Sequence, residues 1–184
     1  YKRQKEVLQW REQRPDIIYI FSKDILRHRR AQKEDAVWLK KGEEYKDETL
    51  SVRAFGSTDV GVSFLLQASG KKIFHAGDLN NWHWMDESTE AEWKGAEKNF
   101  LHELDDLYAY TPEVDVAMFP VDPRLGKEYM RGVGQFVTKI KTHIFVPMHF
   151  TPEYAKANAF RDFAEAHGVR FVSLTHRGQK IEIE

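Results

Sequence analysis

The sequence predicts a layered α/β domain, and three observations carry that expectation. Short β-branched and aromatic runs recur along the chain, the mark of buried strands. A hairpin signature, Ala68-Ser69-Gly70-Lys71, joins two of those runs in the centre of the chain. From Asp86 onward, segments of helical periodicity alternate with apolar runs that end at prolines, which is the ordering of strand–helix layers.

The elements are justified in order. Lys2 to Arg14 is polar with Val7, Leu8 and Trp10 inside it, and reads as a helix closed by Pro15, which disfavours helix in the residue before it. Asp16 to Phe21 reads as a buried strand and Lys23 to Arg30 as one or two basic helical turns. Val37-Trp38-Leu39 is a short strand with a turn at Lys40-Lys41-Gly42-Glu43. Leu50, Val52 and Ala54 alternate with polar residues, as do Val60, Val62, Phe64 and Leu66, giving two half-buried strands. The return strand is Ile73 to Ala76, ending at Gly77-Asp78. Asp86 to Tyr110 carries Trp93, Phe100, Leu104 and Leu107 near helical spacing. Val114 to Phe119 is a strand stopped by Pro120, and Lys127 to Lys139 a helix weakened by Gly132 and Gly134. Ile144 to Val146 is a strand stopped by Pro147, and Glu153 to His167 a helix stopped by Gly168. Val169 to Val172 and Lys180 to Ile183 are closing strands.

Length and composition bound the rest. The 184 residues match one domain spanning 1–184, with a hydrophobic share of 41% that supports a sizeable core. Charges of 28 positive and 29 negative leave a net −1, so neither nucleic acid nor an acidic membrane is offered a whole-chain excess. The basic patch Arg27–Lys41 is interrupted by Glu34 and Asp35 and reads as a solvated face. Without cysteine there is no disulfide framework, thiolate zinc site or Cys nucleophile. No apolar run reaches the roughly 18 residues of a membrane span, and no signal-peptide pattern opens the chain, so a cytoplasmic location is the default expectation. The chain begins at Tyr1 rather than Met, which is read as a removed segment or a fragment.

Of eight histidines, His28, His102, His143, His167 and His176 have surface, helix-end or turn readings. His149 follows the strand Ile144–Val146, where sites collect in α/β sheets; the alternative is a ring bonded to a nearby carbonyl. Asp78 ends an apolar strand, where a carboxylate needs a hydrogen bond, a counter-charge or a metal; an Asx turn is the plainer alternative. The loop Asn80-Asn81-Trp82-His83-Trp84 mixes polar and aromatic groups in the manner of a pocket wall. Gly56-Ser57-Thr58-Asp59 is a hydroxyl-rich turn that matches neither a phosphate loop nor a nucleophile elbow.

Taken in order, the Gly-Ser-Thr turn, the strand ending in Gly77-Asp78, the strand Val114–Ala117 with Pro120, and the strand ending in Pro147-Met148-His149 resemble the C-terminal part of metallo-β-lactamase-superfamily hydrolases, in particular the ascorbate-phosphate lactonase-like branch. The resemblance runs from about Asp16 to the end. It implies an αββα sandwich holding one or two metal ions, usually zinc and sometimes manganese or iron. It implies that Asp78 bridges the ions and orients hydroxide, and that His149 is a late metal ligand. Ser57 stands where many relatives place a His ligand, with Asp59 or His83 as substitutes. Ser57, Trp82 and His83 are then expected to line a substrate pocket. The His-x-His-x-Asp-His signature of that family is absent from 1–184. It is therefore expected before Tyr1, together with the first strands, making this chain a truncated domain. The implied function is hydrolysis of an ester, lactone or phosphoester of a small molecule by metal-activated water. The alternative is a non-catalytic domain of the same fold that binds another protein chain. A homo-oligomer is compatible with either.

Overall fold

The structure is a computed structural model that describes residues 9–27, 34, 36–150 and 152–182. Within them, residues 9–13 form helix α1. A small parallel sheet pairs β1 (Ile20–Ser22) with β2 (Val37–Leu39), separated by α2 (Asp24–Arg27). The main sheet has seven strands in sequence order: β3 (Glu44–Lys46), β4 (Leu50–Phe55), β5 (Ser63–Ala68), β6 (Lys71–His75), β7 (Glu113–Pro120), β8 (Lys141–Met148) and β9 (Arg170–Phe171). Pairing is antiparallel from β3 to β6 and parallel from β6 to β9. The helices are α3 (Glu90–Tyr110), α4 (Arg131–Lys139), α5 (Tyr154–Asn158) and α6 (Arg161–Ala166).

Period-2 alternation explains the two faces of the sheet. Phe55, Leu65, Phe74, Ala117, Phe119, Phe145 and Phe171 pack with Phe100, Leu104 and Leu107 of α3 and Val133 and Phe136 of α4. The ring of Phe119 stacks on Phe136 with centroids 4.4 Å apart, and Phe74 stacks on Phe136 at 5.7 Å. On the opposite face, Val52 and Ala54 pack with Leu39, Ile20 and Val37 of the small sheet. Further along that face Val116 and Ile144 meet Val172, Leu174 and Ile181. The described residues thus build a helical layer, the main sheet and a small second β layer.

Most predicted elements stand within a few residues of their expected places, and the departures have physical reasons. β3 escaped the sequence reading because Tyr45 is flanked by Glu44 and Lys46, the charged dress of an edge strand. The strand expected from Val60 begins only at Ser63: Gly61 takes φ +87° and Val60 is 59% exposed, so 56–62 is a loop. The helix expected from Lys127 begins at Arg131, because Pro123–Glu128 forms a 3₁₀ segment kinked by Gly126 at φ +79°. The helix expected over 153–167 divides into α5 and α6, and Phe160 between them is fully buried, its ring 5.5 Å from that of Phe145. The first strand is Ile20–Ser22 rather than 16–21, and Ile18 is exposed. Residues 180–182 form no strand, although Ile181 packs on the sheet. The expected helical residues 2–8 and 28–30, much of the basic patch, and Ile183 lie outside the described residues. No helix among the described residues is long and apolar enough to cross a membrane.

Candidate functional site

Strand direction collects the site. β6, β7 and β8 run parallel, so the residues after each C-terminal end fall on one edge of the sheet. β4 is antiparallel to β5, which is antiparallel to β6, so the loop after β4 lies at that edge too. Asp78 follows β6, Asp122 and Arg124 follow β7, His149 follows β8, and Ser57-Thr58-Asp59 follow β4.

The geometry centres on His149. Its Nε2 is 2.9 Å from Asp78 Oδ1 and its Nδ1 is 3.1 Å from Asp122 Oδ2, so two carboxylates flank the imidazole. The Asp122 side chain is 1% exposed and takes Arg124 Nε at 2.9 Å and 3.1 Å through its two oxygens. Burial pushes the Asp122 carboxyl up, but hydrogen bonds from Arg124 and His149 outweigh it and hold the group below its ordinary value. The same bond to Asp122 raises the Arg124 guanidinium, so the pair stays charged. His149 itself has φ +69°, a conformation that costs a β-substituted residue on the order of 1–3 kcal/mol and that clusters at functional sites.

Aromatic and polar neighbours fix the surrounding loop. Gly77 has φ +58°, and a Cβ there would lie 2.9 Å from the Val62 carbonyl oxygen, so only glycine admits the turn that presents Asp78. Trp82 Nε1 donates to the Asp78 carbonyl at 2.8 Å, and its ring sits edge-on to His149 with centroids 5.6 Å apart. Trp84 stacks beside Trp82 at 6.4 Å. Thr58 Oγ1 donates to the Asn80 carbonyl and accepts from the Asn80 amide at 3.0 Å, tying the β4–β5 loop to the Asp78 loop. Fully buried Asn81 donates to Gln135 at 3.0 Å and to Glu97 at 3.3 Å, anchoring the loop on α4 and α3.

Gly132 lets α4 approach that loop: a Cβ on it would fall 2.2 Å from Asn80 Oδ1 and 2.9 Å from the Asn81 amide nitrogen. Gly132→Ala is therefore expected to destabilise by about 1–3 kcal/mol through overpacking, read by urea denaturation. A neutral result would mean the loop yields freely.

Thr58, Asp59, Asp78, Trp82, Trp84, Arg124 and His149 line one open cleft of about 570 Å³. The structure thus brings together Asp78, His149, Asp59 and Trp82 of the residues singled out from sequence. It does not bring Ser57 or His83 there. Ser57 borders a neighbouring cavity with Gly56, Lys40 and Lys41. His83 is 1% exposed, with Nε2 3.1 Å from the Glu128 carbonyl oxygen and Nδ1 accepting from the Met85 amide at 3.1 Å. Both its ring nitrogens are spent on backbone, which makes it a pillar of the loop rather than a ligand or pocket wall. Asp122 and Arg124 escaped the sequence reading. The signal was present: Asp122-Pro123-Arg124 follows a proline-stopped strand, as His149 does.

Asp78 and His149 have the chemistry of metal ligands, a carboxylate and an imidazole whose far nitrogen is held by a carboxylate. Zinc sites use four donors, three of them protein groups when catalytic. Among the described residues no group of three or more His, Asp or Glu side chains is placed to hold an ion. The described residues therefore fit two positions of such a site and do not complete it.

No family model matches the chain, and no curated protein does. Solved structures do. A Parabacteroides distasonis protein described as a metal-dependent hydrolase superposes with a TM-score of 0.58 at 14% identity, over 85% of this chain and 64% of that one. Zinc-bound PqqB from Methylobacterium extorquens superposes at 0.50 and 16% identity, over 89% of this chain and 64% of that one. A CmlA β-hydroxylase variant superposes at 0.50 and 12% identity, over 81% of this chain and 34% of that one. This chain thus spans less than two thirds of the length of these neighbours. At such identities the likeness concerns the fold, and it agrees with the strand order and layers described above: the chain has a metallo-β-lactamase-like α/β fold.

Proposed function

We propose that this chain belongs to a metal-dependent hydrolase acting on an ester, lactone or phosphoester of a small molecule, with Asp78 and His149 supplying two ligands of a divalent ion. The observation that carries the reading is the 2.9 Å approach of His149 Nε2 to Asp78 Oδ1, at one cleft, from residues 71 apart in sequence. Zinc is the first candidate, in line with the zinc-bound neighbour, and manganese or iron are the others. Such an ion, when bound, lowers the pKa of water towards about 7 and polarises the scissile carbonyl or phosphoryl group.

The residues of the chain do the positioning. Asp122 holds His149 Nδ1, which aims Nε2 at Asp78. Arg124 keeps Asp122 ionised in its buried place. Asp59 shares the cleft, but it does not join Asp78 and His149 in a three-donor group.

The test is turnover of ester, lactone and phosphoester panels after chelation and again after addition of zinc, manganese or iron. Hydrolysis lost on chelation and restored by an ion is expected. Hydrolysis indifferent to chelator would overturn the reading. The second reading, a non-catalytic protein-binding domain, is favoured by Ser57 at the position of an expected ligand and by the two-donor count.

A further inference from the structure

Arg124 is the one cation lining the cleft among the described residues, and it is unusually fixed. Asp122 engages its Nε through both oxygens and its Nη2 through Oδ2, and also caps its backbone amide at 3.0 Å. Arg124 Nη2 lies 3.5 Å from His149 Nδ1. The carboxylate is 1% exposed while the guanidinium side chain is 64% exposed. The pair is therefore a fixed dipole with its positive end in the cleft, and the bonds to Asp122 leave Nη1 for a ligand. Asp59 and Asp78 place negative charge in the same cleft, so the cavity is polarised. Trp82 and Trp84, stacked on each other, add flat apolar surface. Trp84 is held at φ +43°, a second strained residue in the cleft.

We infer that Arg124, clamped by Asp122, is the substrate-recognition group of this cleft, and that the substrate carries an oxyanion, a carboxylate or a phosphate, beside a flat apolar portion that contacts Trp82 and Trp84. A guanidinium presents a planar fork matched to either oxyanion, and one already held in place loses little freedom on binding. The volume of about 570 Å³ suits a small organic molecule. The 3.5 Å separation of Arg124 from His149 puts the bound anion within a few bonds of the group to be cleaved. Identifying the ligand as the substrate rests on the hydrolase reading; the anion site itself does not.

The experiment is a tryptophan-fluorescence titration of the chain in chelator with phenyl phosphate, benzoate and benzyl alcohol. The two anions are expected to bind about tenfold or more tightly than the neutral alcohol, the scale of a charge-assisted bond. Whichever anion binds more tightly identifies the oxyanion as phosphate or carboxylate. Arg124→Gln is expected to erase the preference for anions and leave the alcohol unchanged. Because that variant leaves Asp122 buried without its partner, Arg124→Lys is measured beside it: it keeps the charge but loses the fork, and is expected to retain only part of the preference. Asp78→Asn is expected to tighten both anions several-fold by removing a repelling charge. Anions bound no more tightly than the alcohol would overturn the inference. So would a folded Arg124→Gln or Arg124→Lys that binds phenyl phosphate as the wild type does. Since no metal is present, failure of the hydrolase reading leaves these titrations unchanged, and failure here leaves metal binding by Asp78 and His149 untouched.

Discussion

Asp78→Ala is expected to abolish metal-dependent hydrolysis while leaving the fold intact. The Asp78 side chain is 38% exposed, and its carboxylate meets His149 Nε2 at the cleft rather than reaching into the core. The bond that shapes its loop, from Trp82 Nε1, ends on the Asp78 backbone carbonyl and survives the substitution. Removing the carboxylate takes away a ligand and its charge together. The loss of turnover should therefore exceed the roughly 10–100-fold drop typical when only a group supporting a ligand is removed. Asp122→Asn gives that smaller drop for comparison, because it alters the support of His149 and leaves both proposed ligands in place. Rates of the two variants on one substrate, with circular dichroism to confirm folding, make the check. Turnover by Asp78→Ala near the wild-type rate would remove it from the site.

Phe119→Ala is expected to destabilise the protein by about 3–5 kcal/mol, the range for emptying a buried aromatic site. Phe119 is fully buried at the meeting point of sheet, α3 and α4, stacked on Phe136 at 4.4 Å and edge-on to Phe100 at 6.2 Å. Its neighbours lie on three different elements, so collapse around the cavity would need all three to move. It also stands three residues before Asp122, and loosening β7 there is expected to unsettle the support of His149. Urea denaturation of the variant measures the effect, and a change below about 1 kcal/mol would mean the core repacks more freely than its ring stacking implies.

Stability is also expected to fall with acid. Hydrogen bonding from Arg131 holds Glu97 below the usual carboxylate range, against an opposing effect of burial, with Gln135 and Asn81 helping. Asp122 is likewise held low. Exposed Asp47 is drawn down to about 2 by the amide and hydroxyl of Thr49 and the amide of Leu50. A carboxyl depressed in the folded state stabilises it above the unfolded pKa of about 4, and that contribution is lost as pH falls through the folded value. Melting temperature should therefore decline from about pH 5 towards pH 2, and Glu97→Gln should flatten part of the decline. An unchanged acid limb in that variant would show that its network carries no pH-dependent stability.

The fold was legible where burial wrote a period into the sequence. β4, β6, β7 and β8 are apolar runs broken by turn residues, and the Ser69-Gly70 hairpin was readable because both residues take positive φ. What was not legible lacked such a period: the charged edge strand β3, and the divided helix around Phe160. Asp78 and His149 were readable because a polar group immediately past an apolar strand is conspicuous. His83 misled because a histidine beside two tryptophans looks the same in sequence whether it binds a ligand or two backbone groups. Asp122 and Arg124 gain their meaning only from strand order, which sets them against His149 across 27 and 25 positions of sequence. A joint order of short motifs carried the resemblance to metallo-β-lactamase-type hydrolases; what the solved structures share with this chain is the α/β fold alone.

The most direct test of the account is the bound-metal content of the protein measured beside its Asp78→Ala and His149→Ala counterparts, each after exposure to zinc, manganese and iron. The account predicts that the wild type retains a divalent ion more tightly than either variant. Metal absent from every form, or held as tightly by the variants as by the wild type, would contradict it.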